Sequence, residues 1–457
     1  MGAWDASAQT EILKFPAGFR WCVATAAHQV EGYNVDSDWW AFEQQPGSIK
    51  TGEVSGPACD HWNRVVEDSL LMKSIGVGQY RFSVEWAKIE PKEGEWNEDA
   101  LAHYAGEVST LRLLGIEPMV TLHHFTFPQW VQVKGGWTWD GLPEAFERFT
   151  RKVYGVLGQD VVDWVTLNEP MVTLLGGYVS GEVPPQKKDM KAAGIAITGM
   201  LKAHAASYRA LHAAAAAAGR PVRVGVAHHL RVFDAFRPFN PADVLAAHLF
   251  DNAFNWAFFD AIETGRLKLW VPTAIHLNQV IPGLAGTQDF LGVNYYSRDM
   301  VKVSFTAGNP LPAERVSNPA NVHNDLDWEI YPWGFYRTLK AVHEHSPRKP
   351  IIITENGTAD HADAFRSRFL VDHLKAVHQA IQEGIRVEGY CHWSLMDNFE
   401  WNEGFTPKFG LFETDYATQA RIPRASALLF SKIAHANAVE RDDSVPWGTW
   451  RRPGRQR

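Results

Sequence analysis

Only three cysteines, Cys22, Cys59 and Cys391, occur in the 457 residues. So few, and an odd number, build no disulfide framework, and none pairs with a histidine at zinc-ligand spacing. No apolar run is long enough to span a bilayer. The first residues, Met1-Gly2-Ala3-Trp4-Asp5, lack a basic segment followed by an apolar core, so no signal peptide is expected. Ala6 stands where N-myristoylation needs Ser or Thr. An excess of one charge is also missing: 44 Lys and Arg against 52 Asp and Glu give a net charge of -8, with the signs well mixed. Neither nucleic acid nor an anionic membrane is therefore an expected partner. No glycine-rich phosphate loop follows the first candidate strand, which removes the usual dinucleotide signal. The one Asn-x-Ser/Thr sequon, Asn356-Gly357-Thr358, lies where a glycan would be ruinous, within the stretch that organises the chain. These absences predict a soluble cytoplasmic protein of a reducing compartment, with no cofactor and no set oligomeric state.

What is present is apolar mass in a repeating pattern. At 46% hydrophobic, the chain can bury the core of several average domains or of one large barrel. Candidate strands run Phe19–Ala24, Gln79–Val84, Glu117–Leu122, Val161–Leu167, Val222–Ala227, Phe290–Asn294, Ile351–Thr354 and Val387–Trp393. Helical periodicity fills the gaps, over Asp60–Ile75, Glu98–Leu114, Pro143–Leu157, Ala192–Ala218, Pro241–Asp251, Trp333–Glu344 and Ala364–Glu383, with Ser426–Ala438 after the last strand. A polar, Asn- and Pro-rich stretch from Ser304 to Asp327 reads as an inserted loop. No break divides the chain into two cores. About eight β-then-α units predict an α/β fold, a single (β/α)8 TIM barrel with elaborated βα loops spanning residues 1–457. A doubly wound sheet is the runner-up, and the missing phosphate loop counts against it.

Ile351-Ile352-Ile353 reads as a strand buried on both faces, and it ends abruptly in Thr354-Glu355-Asn356-Gly357. Taken alone this is a polar strand-to-loop corner. The other strand ends make it more. Following them are His28-Gln29-Val30-Glu31, Arg81-Phe82-Ser83, His123-His124-Phe125, Asn168-Glu169-Pro170, Asn294-Tyr295-Tyr296 and His392-Trp393, then Glu400-Trp401. A lone His or Gln there is usually a satisfied hydrogen-bond partner. Many polar and aromatic groups meeting at one barrel end suggest a binding site. Glu169 and Glu355 both close strands and can face each other, and two carboxylates flanking one point are what glycosidic-bond cleavage needs. Arg81 would lower the pKa of one of them. A metal site of Glu, His and Asn is the competing reading. It lacks a local His-x-x-x-His or Asp-x-Asp grouping, so no metal is expected. The 19 Trp would suit sugar rings if some line the cleft.

In order along nearly its whole length, the chain resembles glycoside hydrolase family 1, the β-glucosidase family. The matching segments are Phe19 to Glu31, Tyr80-Arg81-Phe82-Ser83, Thr166-Leu167-Asn168-Glu169-Pro170, Asn294-Tyr295-Tyr296, Ile353-Thr354-Glu355-Asn356-Gly357 and His392-Trp393 through Glu400-Trp401. This resemblance implies a retaining double displacement on a small-molecule β-glycoside. Glu355 would be the nucleophile and Glu169 the acid/base, with Arg81 and Tyr296 keeping Glu355 ionised and the nearby anion keeping Glu169 protonated. It further implies that Gln29, His124, Asn168, Glu400 and Trp401 bind sugar hydroxyls. Asn294, Tyr296 and Phe409 would share in substrate binding, Trp393 would form a stacking floor, and Trp328 would line the leaving-group side.

Cys22, Tyr33, Phe125 and Thr358 depart from the family pattern. The first two stand where very small residues are usual and would narrow the cleft. In relatives acting on 6-phosphorylated sugars, a small hydroxyl residue stands at the place of Glu400, with Lys and Tyr nearby. Glu400 therefore predicts an unmodified sugar, through repulsion of a phosphate by its carboxylate. A catalytically silent sugar-binding protein of the same fold, a 6-phospho-β-glycosidase and a metal-dependent hydrolase are the rival readings. Retention of both carboxylates speaks against the first.

Overall fold

The computed structural model describes residues 11–272, 274–305 and 313–441. Eight strands lie parallel side by side: β1 (Arg20–Ala24), β2 (Gln79–Ser83), β3 (Glu117–His123), β4 (Asp163–Asn168), β5 (Arg223–His229), β6 (Phe290–Tyr295), β7 (Ile351–Asn356) and β8 (Val387–Trp393). Each pairs with the next, and β8 returns to β1, closing the barrel. Nearly every strand residue is buried, because the core fills one face and helices cover the other. A plug of Met119, Val165, Ala227, Phe290 and Ile352 forms one buried cluster of its own. The barrel is packed rather than open.

Helices α1 (His61–Ser74), α2 (Glu98–Leu113), α3 (Leu142–Leu157), α4 (Met190–Ala218), α5 (Ala257–Thr264), α6 (Pro332–His345), α7 (Arg366–Gln382) and α8 (Ala425–Ala436) form the outer layer. In α3 the residues Leu142, Ala145, Phe146, Phe149, Val153 and Leu157 are all buried, a three-to-four residue spacing that makes one apolar face. Asp189 caps α4 by accepting from the amides of Lys191 and Ala192, and the helix ends at Gly219 with φ +63. Among the described residues no helix is long and apolar enough to cross a membrane.

Three expectations need amending. Cys22 and Cys391 form a disulfide, because β1 and β8 are neighbours and the two residues sit directly opposite in register. Chain spacing hides such a pairing, and the reducing-compartment reading loses part of its support. The stretch from Ser304 to Asp327 is not simply a loop: Ala313–Val316 is a strand paired with Arg298–Val303, which also pairs with Val232–Ala235. Residues 306–312 of that stretch lie outside the described residues. A hairpin of Arg266–Val271 and Ile275–Val280 was not anticipated either.

Candidate active site

At the carboxyl ends of the strands the predicted residues converge. Arg81, fully buried on β2, makes the central links. Its Nη1 donates to Glu355 Oε1 at 2.5 Å and to the Thr354 carbonyl at 3.1 Å. Its Nη2 donates to Asn168 Oδ1 at 2.6 Å, and its Nε to Thr121 Oγ1 at 3.2 Å. Tyr296 donates its hydroxyl to Glu355 Oε2 at 2.6 Å. Both oxygens of Glu355 therefore hold strong donors.

Glu169 sits just past β4 with φ +46, a left-handed conformation that a Glu adopts only under local constraint. Its Oε1 accepts from Asn294 Nδ2 at 2.8 Å and lies 2.9 Å from His229 Nδ1. Asn294 also donates to Asn168 Oδ1 at 3.2 Å and accepts from Thr354 Oγ1 at 2.6 Å. The two carboxyls thus share one lattice of Arg81, Asn168, Asn294 and Thr354.

Asn168 Nδ2 lies 3.0 Å from His124 Nε2. An amide nitrogen can only donate there, so the His124 proton sits on Nδ1. That Nδ1 is buried without a partner, as is Gln29 Oε1. Burial pushes the His124 pKa well below its ordinary value, with Arg81 and His123 adding, so the ring is neutral. Gln29 Nε2 donates to Asn398 Oδ1 at 3.0 Å and the Phe399 carbonyl at 2.8 Å, and reaches Glu400 Oε2 at 3.4 Å. The site therefore holds a buried donor, His124 Nδ1–H, and a buried acceptor, Gln29 Oε1, that no protein group satisfies.

Trp393 and Trp401 are both buried and flank the His124 ring, with centroids 5.8 and 6.0 Å away. Trp328 meets Tyr296 at 5.7 Å and Phe409 at 6.1 Å, forming an aromatic wall on the Glu355 side. Phe125 (φ +74) and Trp401 (φ +52) are also left-handed, and their rings lie 5.0 Å apart. Of the departures from the family pattern, Cys22 is buried and belongs to the cluster that holds Tyr296, Trp393, Trp401 and Phe409. Tyr33 is 64% exposed, and Thr358 is buried with its hydroxyl unpartnered. Among the described residues no group of three or more His, Cys, Asp or Glu is arranged to hold a metal ion.

Burial pushes Glu355 up to about 7, with Arg81 pulling it down and the Glu169 charge adding to the rise. Burial pushes Glu169 up too, but His229 and Asn294, with Arg231 behind them, draw it below the ordinary range. This order is the reverse of the expected one. The hydrogen bonds argue for the expected one: the Arg231 Nε–H is 3.0 Å from His229 Nε2, so that nitrogen accepts and the ring is neutral. A neutral ring pulls on Glu169 only as a dipole. His229 was missed from the sequence, where the fifth candidate strand stopped at Ala227. The adjoining His228-His229 was the available signal.

The model of the family described as glycosyl hydrolase family 1 matches residues 12–439. The chain belongs to glycosyl hydrolase family 1. Beta-glucosidase A of Thermotoga maritima is 33% identical over 94% of this glycosidase and 99% of its own length. A solved beta-glycosidase from Pyrococcus horikoshii is 37% identical with a TM-score of 0.86, covering 94% and 97% of the two chains. Another, the beta-glucosidase from Thermotoga maritima in complex with galacto-hydroximolactam, is 32% identical with a TM-score of 0.85, covering 93% and 99%. The expected fold and family both hold for this glycosidase.

Proposed function

We propose that this glycosidase removes terminal non-reducing β-D-glucosyl residues from β-glucosides and cello-oligosaccharides with retention, and also cleaves β-galactosides and β-fucosides. Glu355 is the nucleophile and Glu169 the acid/base, within one catalytic domain. The observation that carries this reading is the unequal grip on the two carboxyls. Glu355 accepts from a guanidinium on one oxygen and a phenol on the other. Protonating it would cost a charge-assisted bond, so the proton the pair shares rests on Glu169.

Glu355 attacks the anomeric carbon while Glu169 protonates the departing oxygen. Esterified Glu355 carries no charge, so Glu169, now ionised, is relieved of its neighbour and takes a proton from the attacking water. The open groups of Gln29 and His124, with Asn168, Glu400 and Trp401, receive the sugar hydroxyls. Trp393 forms the floor, while Trp328, Tyr296 and Phe409 wall the cleft. Similarity to a beta-glucosidase and to a solved beta-glucosidase in complex with galacto-hydroximolactam supports a site that accepts either orientation at C4.

The test is Glu355→Gly. Turnover of an aryl β-glucoside should fall at least about 10⁴-fold while the fold persists, because no covalent intermediate forms. Added azide should restore a product of inverted anomeric configuration, read by NMR. Substantial activity without azide would remove Glu355 from the role.

A further inference from the structure

We infer that His229 and Arg231 are positioning residues that fix which oxygen of Glu169 carries the catalytic proton and strengthen it as an acid. The inference rests on the acid/base reading of Glu169 and goes beyond it to His229 and Arg231, which lie outside the segments on which the family resemblance was drawn.

His229 ends β5, directly opposite Asn294 in register, so both reach the same carboxyl from adjacent strands. Arg231 lies two residues on. Its backbone is clamped by Asn255, which accepts from the Arg231 amide at 3.0 Å and donates to its carbonyl at 2.7 Å. Its Nη1 donates to Asp299 Oδ2 at 2.9 Å, and Arg315 donates to the same oxygen at 3.3 Å. The guanidinium is thus anchored before it meets the imidazole. Its Nε–H then occupies His229 Nε2, and an arginine never gives up that proton. One tautomer remains, with the hydrogen on Nδ1 aimed at Glu169 Oε1.

Oε1 consequently receives two donors, His229 Nδ1–H and Asn294 Nδ2–H. An oxygen taking two hydrogen bonds is the poor site for a proton, so the acid proton is placed on Oε2. As the glycosidic bond breaks, that proton passes to the leaving oxygen and the electron pair of its O–H bond stays on the Glu169 carboxylate. Two donors already point at the charge that develops, with the Arg231 cation behind them, which costs no reorganisation at the moment of reaction.

The groups facing His229 from every side agree with this role. Glu169 comes from β4, Arg231 from its own strand end and Asp299 through Arg231. Tyr296 from the β6 end stacks at 5.7 Å and is itself hydrogen-bonded to Glu355, while Phe254 meets the ring edge-on at 5.9 Å. The aromatic pair holds the imidazole plane and excludes water from the relay.

The experiment compares pH profiles of kcat/KM for wild type, His229→Phe, His229→Asn and Arg231→Met, on an aryl and an alkyl β-glucoside. Removing a donor from a carboxylate makes the acid weaker. In His229→Phe the basic limb should move up by about one pH unit. The alkyl glucoside, which needs protonation to leave, should lose about fivefold more kcat/KM than the aryl one. His229→Asn restores an N–H near the Nδ1 position and should bring the limb most of the way back. Arg231→Met frees Nε2 and should move the limb in the same direction as His229→Phe.

A merely structural role would reduce both substrates alike and leave the limb in place, and that result overturns the inference. If His229→Phe fails to fold by circular dichroism, an unmoved limb in Arg231→Met overturns it equally. Glu169→Ala separates the two levels. Equal loss on both substrates there would sink the acid/base reading itself. Loss confined to the alkyl substrate, beside an unmoved limb in His229→Phe, would sink only the role of His229.

Discussion

Burial, with nearby Glu355, Glu169 and Glu403 adding and a hydrogen bond from Gln29 opposing, pushes the Glu400 carboxyl up to about 8. The expected repulsion between a Glu400 carboxylate and a sugar 6-phosphate needs restating on that ground. The acids that raise Glu400 are the ones a phosphate dianion would meet, whatever the state of Glu400. Lys408, nearby in sequence, holds its ammonium 4.8 Å from the Tyr416 ring, and Arg81 is committed to Glu355 and Asn168. A 6-phosphate therefore brings two negative charges into an acidic, poorly screened cleft. We expect kcat/KM on an aryl β-glucoside 6-phosphate below about 1% of that on the unmodified glucoside, a loss of two powers of ten or about 2.7 kcal/mol in the barrier. Comparable values for the two substrates would refute the argument. At this scale the sequence displayed Glu169, Glu355, Arg81 and Tyr296 because strand ends are where polar residues need a reason. His229 stayed hidden because only the folded chain brings Glu169 to its Nδ1 and the Arg231 guanidinium to its Nε2.

Among the elements, barrel strands were legible to within one or two residues because burial on both faces forces continuous apolar runs. The outer hairpin was less so. Its first strand, Arg266–Val271, alternates exposed and buried residues, yet it packs outside the barrel, where no β-then-α rhythm announces it. The turn after β7 shows how tightly a site can depend on the closeness of two elements. Gly357 passes against β8, and a Cβ added there would overlap the Trp393 carbonyl oxygen. The partner is backbone, which cannot swing aside as a side chain would. Gly357→Ala must therefore displace either Glu355, two residues before, or Trp393 itself. It should cost about 2 kcal/mol or more in stability and lower kcat/KM at least tenfold, read by thermal melting and by assay. An unchanged Tm with full activity would mean that β7 and β8 can separate freely there.

Over the whole molecule the barrel has two ends with different work. At the amino ends of the strands, opposite the site, Asp163 on β4 accepts from Arg20 on β1 at 2.5 Å, from Arg223 on β5 at 2.8 Å and from Gln79 on β2 at 2.8 Å. Glu388 on β8 joins Arg20 at 3.1 Å and Arg223 at 2.7 Å, so five strands are tied by one ionic cluster. Burial pushes the Asp163 carboxyl up, but Arg223 and Arg20 outweigh it and hold the pKa below the ordinary 3.8. A carboxyl depressed in the folded state contributes stability above its unfolded value, and that contribution is lost as pH falls through the folded value. The cluster should therefore support the fold at neutral pH and fade below about pH 4. Asp163→Asn leaves two guanidiniums sharing one acid and should cost about 3 kcal/mol at pH 7. Its Tm should fall less than that of wild type between pH 7 and pH 3, since it has no such carboxylate left to protonate. The kcat/KM profile at permissive temperature should meanwhile keep its limbs, because the proposed mechanism assigns those to Glu169 and Glu355 at the far end of the barrel. Parallel Tm curves for variant and wild type would show that Asp163 is not an acid-sensitive tie. A displaced activity limb would show that the two ends are coupled.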